Sequence, residues 1–251
     1  MDIQARLKEH YDFACQKFNE DRILGVFLYG SQNYGLDTKT SDVDTKAIYI
    51  PPFEEIVFNK PISVELHLPN GEHCEVKDIR EYVKNLKKQN INFVETLFTE
   101  YFILNPKYEE FWNKNFIDNR DFIASYDTYG TIRSVTHQAL NTLEQAIKCD
   151  NFTVMGKKYC NVMRLIYFLE NYVSGSESYE KCIRPEGVSA LMMKQFKEGR
   201  NSLDFDTAFF LYRYWKATLE GYLKREYVDL KSEFTVDTLL DEAILEILRV
   251  E

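Results

Sequence analysis

The sequence predicts an α+β fold in which a small sheet near the amino terminus is followed by a helical region. Short apolar runs bounded by Gly and Pro indicate strands, and an Asn-Gly turn between two of them indicates a hairpin. From about residue 106 onward, long stretches have apolar residues at helical spacing. We therefore expect a sheet-containing domain over residues 1–105 and a helical domain over residues 106–251.

The elements of the first part follow from local signals. Asp2 is a plausible N-cap for an amphipathic helix, Asn70-Gly71 is the predicted hairpin turn, and Asp78 is placed to cap the helix after the hairpin. The predicted bounds are helix 2–19, strands 23–29, 43–50, 62–68 and 73–76, and a helix beginning after Asp78. In the second part, helical patterns cover 132–147, 157–173, 207–225 and 236–248.

The composition excludes several classes of protein. Hydrophobic residues make up 45% of the 251 residues and aromatic residues 15%, so the chain is neither disordered nor of low complexity. The net charge of −9 argues against strong non-specific binding to nucleic acids or anionic lipids. No apolar segment resembles a signal peptide or a membrane span, which predicts a cytoplasmic protein without a membrane partner.

Cysteine and histidine give no metal signal in the sequence. The five Cys residues include no CxxC pair, so neither a disulfide framework nor a structural zinc site is indicated. The four His residues do not follow a spacing typical of metal ligands, and His73 is interpreted as a histidine of an edge strand.

The segment that indicates a cation-binding and phosphate-binding site contains two acidic residues at the start of the second predicted strand. Residues two apart in a strand face the same side, so Asp42 and Asp44 would project in parallel, about 6.6 Å apart along the backbone. Like charges placed this way favour a shared cation, and oxygen ligands suit Mg²⁺. Gly30-Ser31, directly after the first strand, is a turn whose N–H groups and hydroxyl can bind phosphate. The alternative is an ordinary turn next to two solvated acids.

This pattern resembles the DNA polymerase β superfamily of nucleotidyltransferases. The segments YGSQNYGL, SDVDTKAIYIPP and CEVKDIREYVKNLKKQNINFVETLF are similar, more narrowly, to the predicted nucleotidyltransferases of the RNA-repair-pathway (RlaP-like) family over residues 25–105. The resemblance implies a minimal mixed sheet with a helical C-terminal domain that closes over the nucleotide. It also implies a third metal-binding carboxylate on a neighbouring strand. Glu75 is the best candidate, and Glu65 and Glu72 are less favoured substitutes.

A polar helix face adds two cations to the predicted site. Lys157, Asn161 and Arg164 fall on one side of a helix, which is either a solvated face or the lining of a cleft. The resemblance favours the cleft, with Lys157 and Arg164 binding the triphosphate.

The function that the resemblance implies is transfer of a nucleoside monophosphate from an NTP, such as ATP, to a hydroxyl acceptor. The site would use Mg²⁺ or Mn²⁺ on Asp42, Asp44 and Glu75, with Gly30 and Ser31 at the phosphates. An RNA 3′ end in RNA repair is one acceptor. The alternatives are an inactive nucleotide-binding or regulatory protein and a nucleotidyltransferase that acts on a protein hydroxyl.

Overall fold

The computed structural model describes residues 2–200, 204–226 and 236–249, and it confirms the α+β fold with a helical C-terminal region. Five strands form one mixed sheet in the order β3-β4-β2-β1-β5, in which β2 and β4 are parallel and the other neighbours are antiparallel. The strands are β1 (Ile23–Tyr29), β2 (Asp44–Tyr49), β3 (Ser63–His67), β4 (His73–Asp78) and β5 (Phe102–Leu104). The helices are α1 (Ile3–Phe18), α2 (Phe53–Val57), α3 (Ile79–Lys87), α4 (Ile91–Val94), α5 (Glu109–Trp112), α6 (Arg120–Ser125), α7 (Thr128–Ile147), α8 (Phe152–Ser174), α9 (Tyr179–Ile183), α10 (Gly187–Lys197), α11 (Phe205–Leu223) and α12 (Val236–Arg249).

Most of the predicted elements are confirmed, because their caps and turns are local. The Asp2 side chain accepts a hydrogen bond from the Ala5 N–H at the start of α1. The Asp78 side chain accepts one from the Arg80 N–H at the start of α3. The hairpin of β3 and β4 is also confirmed. The short elements β5 and α2 were not predicted, since three to five residues carry too little periodicity to be recognised.

Helix α1 covers one face of the sheet. Its buried residues pack with residues that alternate along the strands, so this face of the sheet is apolar and closed. The buried members of this core are Leu7, Tyr11, Ala14, Ile23, Val26, Leu28, Val43, Ala47, Tyr49, Leu68, Cys74 and Val76. Alternation places the neighbouring residues of each strand on the opposite face.

The chain forms two compact units, and their bounds differ from the predicted ones. The first unit comprises the described residues within 1–33, 42–126 and 231–251, and the second comprises those within 34–41 and 127–230. Residues 106–126 belong to the sheet unit because Trp112 is fully buried, with its ring centroid 4.5 Å from that of Phe27 in β1 and 4.6 Å from that of Phe116. Such aromatic packing is not visible in helical periodicity alone.

Five of the described helices form the frame of the second unit. Helix α8 contacts α7, α9 and α10, and α11 packs on α7. The side chain of Asn151 caps α8 by accepting hydrogen bonds from the N–H groups of Thr153 and Val154. Among the described residues, no helix combines the length and the apolar character that crossing a membrane requires.

Replacing Trp112 tests whether residues 106–126 belong to the sheet unit. We expect Trp112→Ala to lower the free energy of unfolding of this unit by about 3–5 kcal/mol, since the side chain fills a closed aromatic cluster. Phe122→Ala, at a position that is 41% exposed on α6, should cost about 1 kcal/mol. Urea denaturation followed by circular dichroism measures both values. Equal costs for the two substitutions would contradict this placement.

Candidate functional site

The turn after β1 brings a glycine against one of the two predicted acids. Gly30 has a φ of +77°, in the left-handed region, and the register pairs the preceding residue, Tyr29, with Asp44. A Cβ atom at position 30 would lie 3.0 Å from Oδ2 of Asp44. Glycine therefore satisfies two requirements here, the backbone conformation and the close approach of a carboxylate. The half-buried Ser31 follows in the short 3₁₀ segment Gly30–Gln32.

Asp42 and Asp44 flank a residue that is fixed in the core. Val43 is completely buried among the residues that pack with α1, whereas Asp42 is exposed and Asp44 is half-buried. Asp44 is the first residue of β2 and precedes the buried Thr45, which bonds to His10 of α1, so the Asp44 carboxylate belongs to the face of the sheet that α1 does not cover, whereas Asp42 precedes the strand. A common side for the two carboxylates stays a prediction from their spacing.

A buried carboxylate on the α1 side holds the backbone between the two acids. Oε1 of Glu72 accepts a hydrogen bond from the Val43 N–H at 3.1 Å. Oε2 of Glu72 lies 2.6 Å from Nη2 of Arg6 and 3.0 Å from Nε2 of His10. Both carboxylate oxygens of Glu72 are therefore bound to α1 or to the backbone of Val43. This argues against Glu72 as the third metal ligand on the opposite face.

The neutral form of His10 completes this network. Burial lowers the pKa of His10 below its ordinary value of 6.5, more than the hydrogen bond to Glu72 raises it. In the neutral ring, Nε2 donates to Glu72, so Nδ1 accepts from the hydroxyl of Thr45 at 2.8 Å. Burial alone would raise the pKa of Glu72, but hydrogen bonds from His10, Arg6 and the Val43 N–H, together with the charge of Arg6, outweigh burial and hold that pKa below 4.5.

The face of the sheet that α1 does not cover is called the open face. On this face, Glu75 forms an ion pair with the buried Lys46. The parallel register of β2 and β4 places Glu75 opposite Lys46, and Oε2 of Glu75 lies 2.6 Å from the Lys46 ammonium. Lys77 lies 3.9 Å from the same oxygen. Burial alone would raise the pKa of Glu75, but the charge and hydrogen bond of Lys46, together with Lys77 and Tyr29, outweigh burial and lower that pKa.

The Lys46 ammonium is enclosed by aromatic rings. Lys46 is only 2% exposed, and its Nζ lies 3.6 Å from the centroid of the Tyr29 ring and 4.8 Å from that of Phe93. Burial lowers its pKa, while the charges of Glu75 and of the buried Glu95 act in the opposite direction. This group was not predicted from the sequence, although a lysine two residues after Asp44 in an apolar strand is a visible signal.

The same register determines what lies beside Asp44. Its direct partner in β4 is His73, not Glu75. In the described parts of the chain, the only three His, Cys, Asp or Glu residues whose ligand atoms all lie within 4.8 Å of one another are Glu65, His67 and His73. Asp42, Asp44 and Glu75 do not form such a group, so the role of Glu75 as a third metal ligand stays a prediction.

In the second unit, the segment that links the turn to the acidic pair is held by two cations. The guanidinium of Arg164, whose side chain is buried, lies 4.2 Å from the centroid of the Tyr34 ring and donates to Oδ1 of Asn161. The Lys197 ammonium donates to the carbonyl of Leu36 at 3.0 Å and to Oγ of Ser41 at 2.9 Å. These contacts tie residues 34–41 to helices α8 and α10.

The two cations predicted on α8 therefore have different surroundings. Arg164 is 2% exposed and packed, which argues against the alternative of a solvated face at this position. Lys157 is exposed. Binding of the triphosphate by Lys157 and Arg164 stays a prediction from the sequence.

The solved structures that resemble this chain include a weakly similar nucleotidyltransferase-like protein. No protein-family model matches the chain, and no curated protein matches it significantly. The crystal structure of a nucleotidyltransferase-like protein from Exiguobacterium sibiricum 255-15 aligns with 98% of this chain and 75% of its own, at 11% identity and a TM-score of 0.30. Similarity at this level supports no functional conclusion, so the proposal below rests on the residues of this chain.

The Glu72 network predicts a loss of stability on removal of one charge. Glu72→Gln should lower the free energy of unfolding at pH 7 by about 1.5–3 kcal/mol, the range for hydrogen bonds to a charged group. The matched control, Glu9→Gln on the exposed face of α1, should change it by less than about 0.5 kcal/mol. Urea denaturation measures both, and similar values for the two variants would contradict the role of Glu72.

The pH dependence follows from the same groups. The folded-state pKa of Glu72 lies below its unfolded value of 4.5, so its contribution is present above pH 4.5 and is lost as the pH falls through the folded-state pKa. The folded-state pKa of His10 is also lowered, so its contribution to stability is lost as the pH falls below 6.5, where the unfolded chain takes up the proton first. Stability should fall on acidification in two windows. The difference between the wild type and Glu72→Gln should shrink below pH 4.5, and a constant difference down to pH 3 would be inconsistent with this linkage.

A double-mutant cycle tests the pair of Lys46 and Glu75. Because Lys46 is enclosed, we expect Lys46→Met and Glu75→Gln to show a coupling of about 1–3 kcal/mol in the free energy of unfolding. The surface pair of Lys84 and Glu81, at 2.9 Å, is the matched control and should couple by less than about 0.5 kcal/mol. Additive effects of Lys46→Met and Glu75→Gln would show that the two side chains are not paired in solution.

Proposed function

We propose that this chain is a metal-dependent nucleotidyltransferase that transfers a nucleoside monophosphate from an NTP to a hydroxyl acceptor. The observation that carries the proposal is the close approach of the left-handed turn at Gly30 to the Asp44 carboxylate, with Asp42 two residues before Asp44 in the chain. A phosphate-binding turn beside paired carboxylates is the arrangement that the reaction requires, because the triphosphate and the cation must meet.

The donor set at this place fits Mg²⁺ or Mn²⁺. Asp42 and Asp44 supply hard carboxylate oxygens, and the lack of a side chain at Gly30 leaves room at the Asp44 carboxylate that a Cβ atom would fill. A divalent ion held by these residues would lower the pKa of the acceptor hydroxyl and offset the charge on the leaving pyrophosphate. The backbone N–H groups of the turn and the Ser31 hydroxyl would donate to the terminal phosphates.

The transfer would proceed by in-line displacement. The oxygen of the acceptor hydroxyl forms a bond to the α-phosphorus and loses its proton to water. The bond between the α-phosphorus and the α,β-bridging oxygen breaks, and pyrophosphate leaves with the electron pair. The residues of this chain contribute mainly position and charge, which is the usual division of work in phosphoryl transfer.

Glu75 is our proposal for the third ligand of the donor set. Its Oε2 atom is bound to Lys46, so Lys46 would act as a positioning residue that holds the carboxylate on the open face. Glu75→Gln would then reduce turnover while leaving binding of the triphosphate in place. The same ion pair favours the second candidate function, a nucleotide-binding protein without transfer activity, since Lys46 already neutralises this carboxylate.

The acceptor is proposed from the resemblance of residues 25–105 to RNA-repair-pathway nucleotidyltransferases. An RNA 3′ end needs only a small contact area, which is compatible with a net charge of −9. A protein hydroxyl is the alternative acceptor. Incubation with each α-labelled NTP, offering total RNA, total protein and small sugars, would identify the class of acceptor by the fraction that takes up label.

Removing the acidic pair tests the proposal. Asp42→Asn/Asp44→Asn should lower the Mg²⁺-dependent transfer of label by about 10³-fold or more, equal to about 4 kcal/mol, while the fold is retained because the volume hardly changes. The control Glu9→Gln/Asp12→Asn removes the same two charges from the exposed side of α1 and should leave transfer unchanged.

Two results would overturn the proposal. Full activity of Asp42→Asn/Asp44→Asn would exclude the acidic pair from catalysis. If the wild-type chain binds a triphosphate with Mg²⁺ but releases no pyrophosphate with any acceptor, the second candidate, a nucleotide-binding protein, would replace the enzyme.

A further inference from the structure

The hairpin of β3 and β4 brings three metal-binding side chains together on the open face of the sheet. The antiparallel register pairs His67 directly with His73, and Glu65, two residues before His67, belongs to the same face. Oε1 of Glu65 lies 3.2 Å from Nδ1 of His73, and the two imidazole rings meet edge to face with their centroids 4.7 Å apart. One potential ligand atom from each residue lies within 4.8 Å of the other two.

We propose that Glu65, His67 and His73 bind one first-row transition-metal ion, Zn²⁺ in particular. Two imidazole nitrogens and one carboxylate oxygen form a ligand set that suits Zn²⁺, whereas Mg²⁺ prefers oxygen ligands alone. The site therefore differs in chemistry from the acidic pair of Asp42 and Asp44. It does not depend on the proposed function, because only hairpin residues take part.

The geometry is close to that of a loaded site. Around a tetrahedral ion with ligands at about 2.0–2.1 Å, the ligand atoms lie about 3.3–3.4 Å apart. In the structure, the three ligand atoms lie within 4.8 Å of one another. Each pair must therefore approach by at most about 1.5 Å to bind the ion, which side-chain rotation can supply. The side chains of Glu65 and His73 are 54% and 37% exposed, so the site is open to solvent and the rotation meets little resistance.

Hydrogen bonds of the hairpin backbone fix the positions of the two histidines. The Leu68 N–H donates to the Glu72 carbonyl at 2.9 Å, and Glu72 is itself fixed to Arg6 and His10. The strand positions of His67 and His73 are thereby set before a metal arrives. Three protein ligands leave a fourth position for water or another ligand, as in zinc sites that are not purely structural.

The sheet register gives the site a particular neighbour. His73 is the direct partner of Asp44 in the parallel pair of β4 and β2, and directly paired residues face the same side. An ion bound by the hairpin would therefore add positive charge on the side of the sheet that carries Asp44. Without an ion, the contact between Glu65 and His73 is an exposed pair that contributes at most about 1 kcal/mol.

Zinc titration of the full chain tests this site. Competition with a chromophoric chelator should show one Zn²⁺ per chain, and excess Mg²⁺ should not displace it. His67→Ala and His73→Ala should each weaken binding by about 100-fold or more, and Glu65→Gln by at least about tenfold, since loss of a ligand exceeds the loss of an outer partner. His137→Ala removes an exposed histidine on α7, outside this cluster, and should leave the affinity unchanged.

A thermal readout separates loss of binding from loss of folding. Zn²⁺ should raise the melting temperature of the wild type and of His137→Ala, but not that of His67→Ala/His73→Ala, whose metal-free melting temperature should match that of the metal-free wild type. The inference is overturned if the wild type competes for Zn²⁺ no better than this double variant. It is equally overturned if Co²⁺ gives a thiolate charge-transfer band, because cysteine would then be the ligand.

Discussion

The buried Glu72 carboxylate is the interaction on which the candidate site depends. It joins Arg6 and His10 of α1 to the backbone N–H of Val43, the residue between the two acids. A buried carboxylate is costly unless its oxygens are occupied by donors, and here cationic, imidazole and backbone donors occupy them. The backbone just before β2 is therefore held from the side of the sheet that α1 covers, and the Asp44 carboxylate belongs to the opposite side.

A second buried charge organises the open face. Lys46 lies between the rings of Tyr29 and Phe93 and pairs with Glu75, so the middle of this face carries a neutralised ion pair. At the Asp44 end, the neighbours are the Gly30 turn on one side and His73 on the other. The face thus changes along the strands from a closed aromatic environment to one with exposed acids and imidazoles, where charged ligands and cations can be bound.

The local parts of this arrangement could be predicted from the sequence, and the cross-strand parts could not. Asp2 and Asp78 are caps whose hydrogen bonds lie within three residues, and Gly30 follows a strand whose bounds are fixed by an apolar run. The partners of Asp44 and Lys46 in β4 depend on the register of a parallel pair, which involves residues about 29 positions away. The pair of His67 and His73 was not predicted because it also depends on strand register. Ligands from two strands have no regular spacing in the sequence.

The most direct measurement is a crystal structure of the chain with Mn²⁺ and a nucleoside triphosphate that is not hydrolysable between the α- and β-phosphates. The account predicts anomalous density for Mn²⁺ bound by the carboxylates of Asp42 and Asp44, with the terminal phosphates at the N–H groups and hydroxyl of the Gly30-Ser31 turn. A triphosphate bound away from these carboxylates, or Mn²⁺ found only at Glu65, His67 and His73, would contradict it.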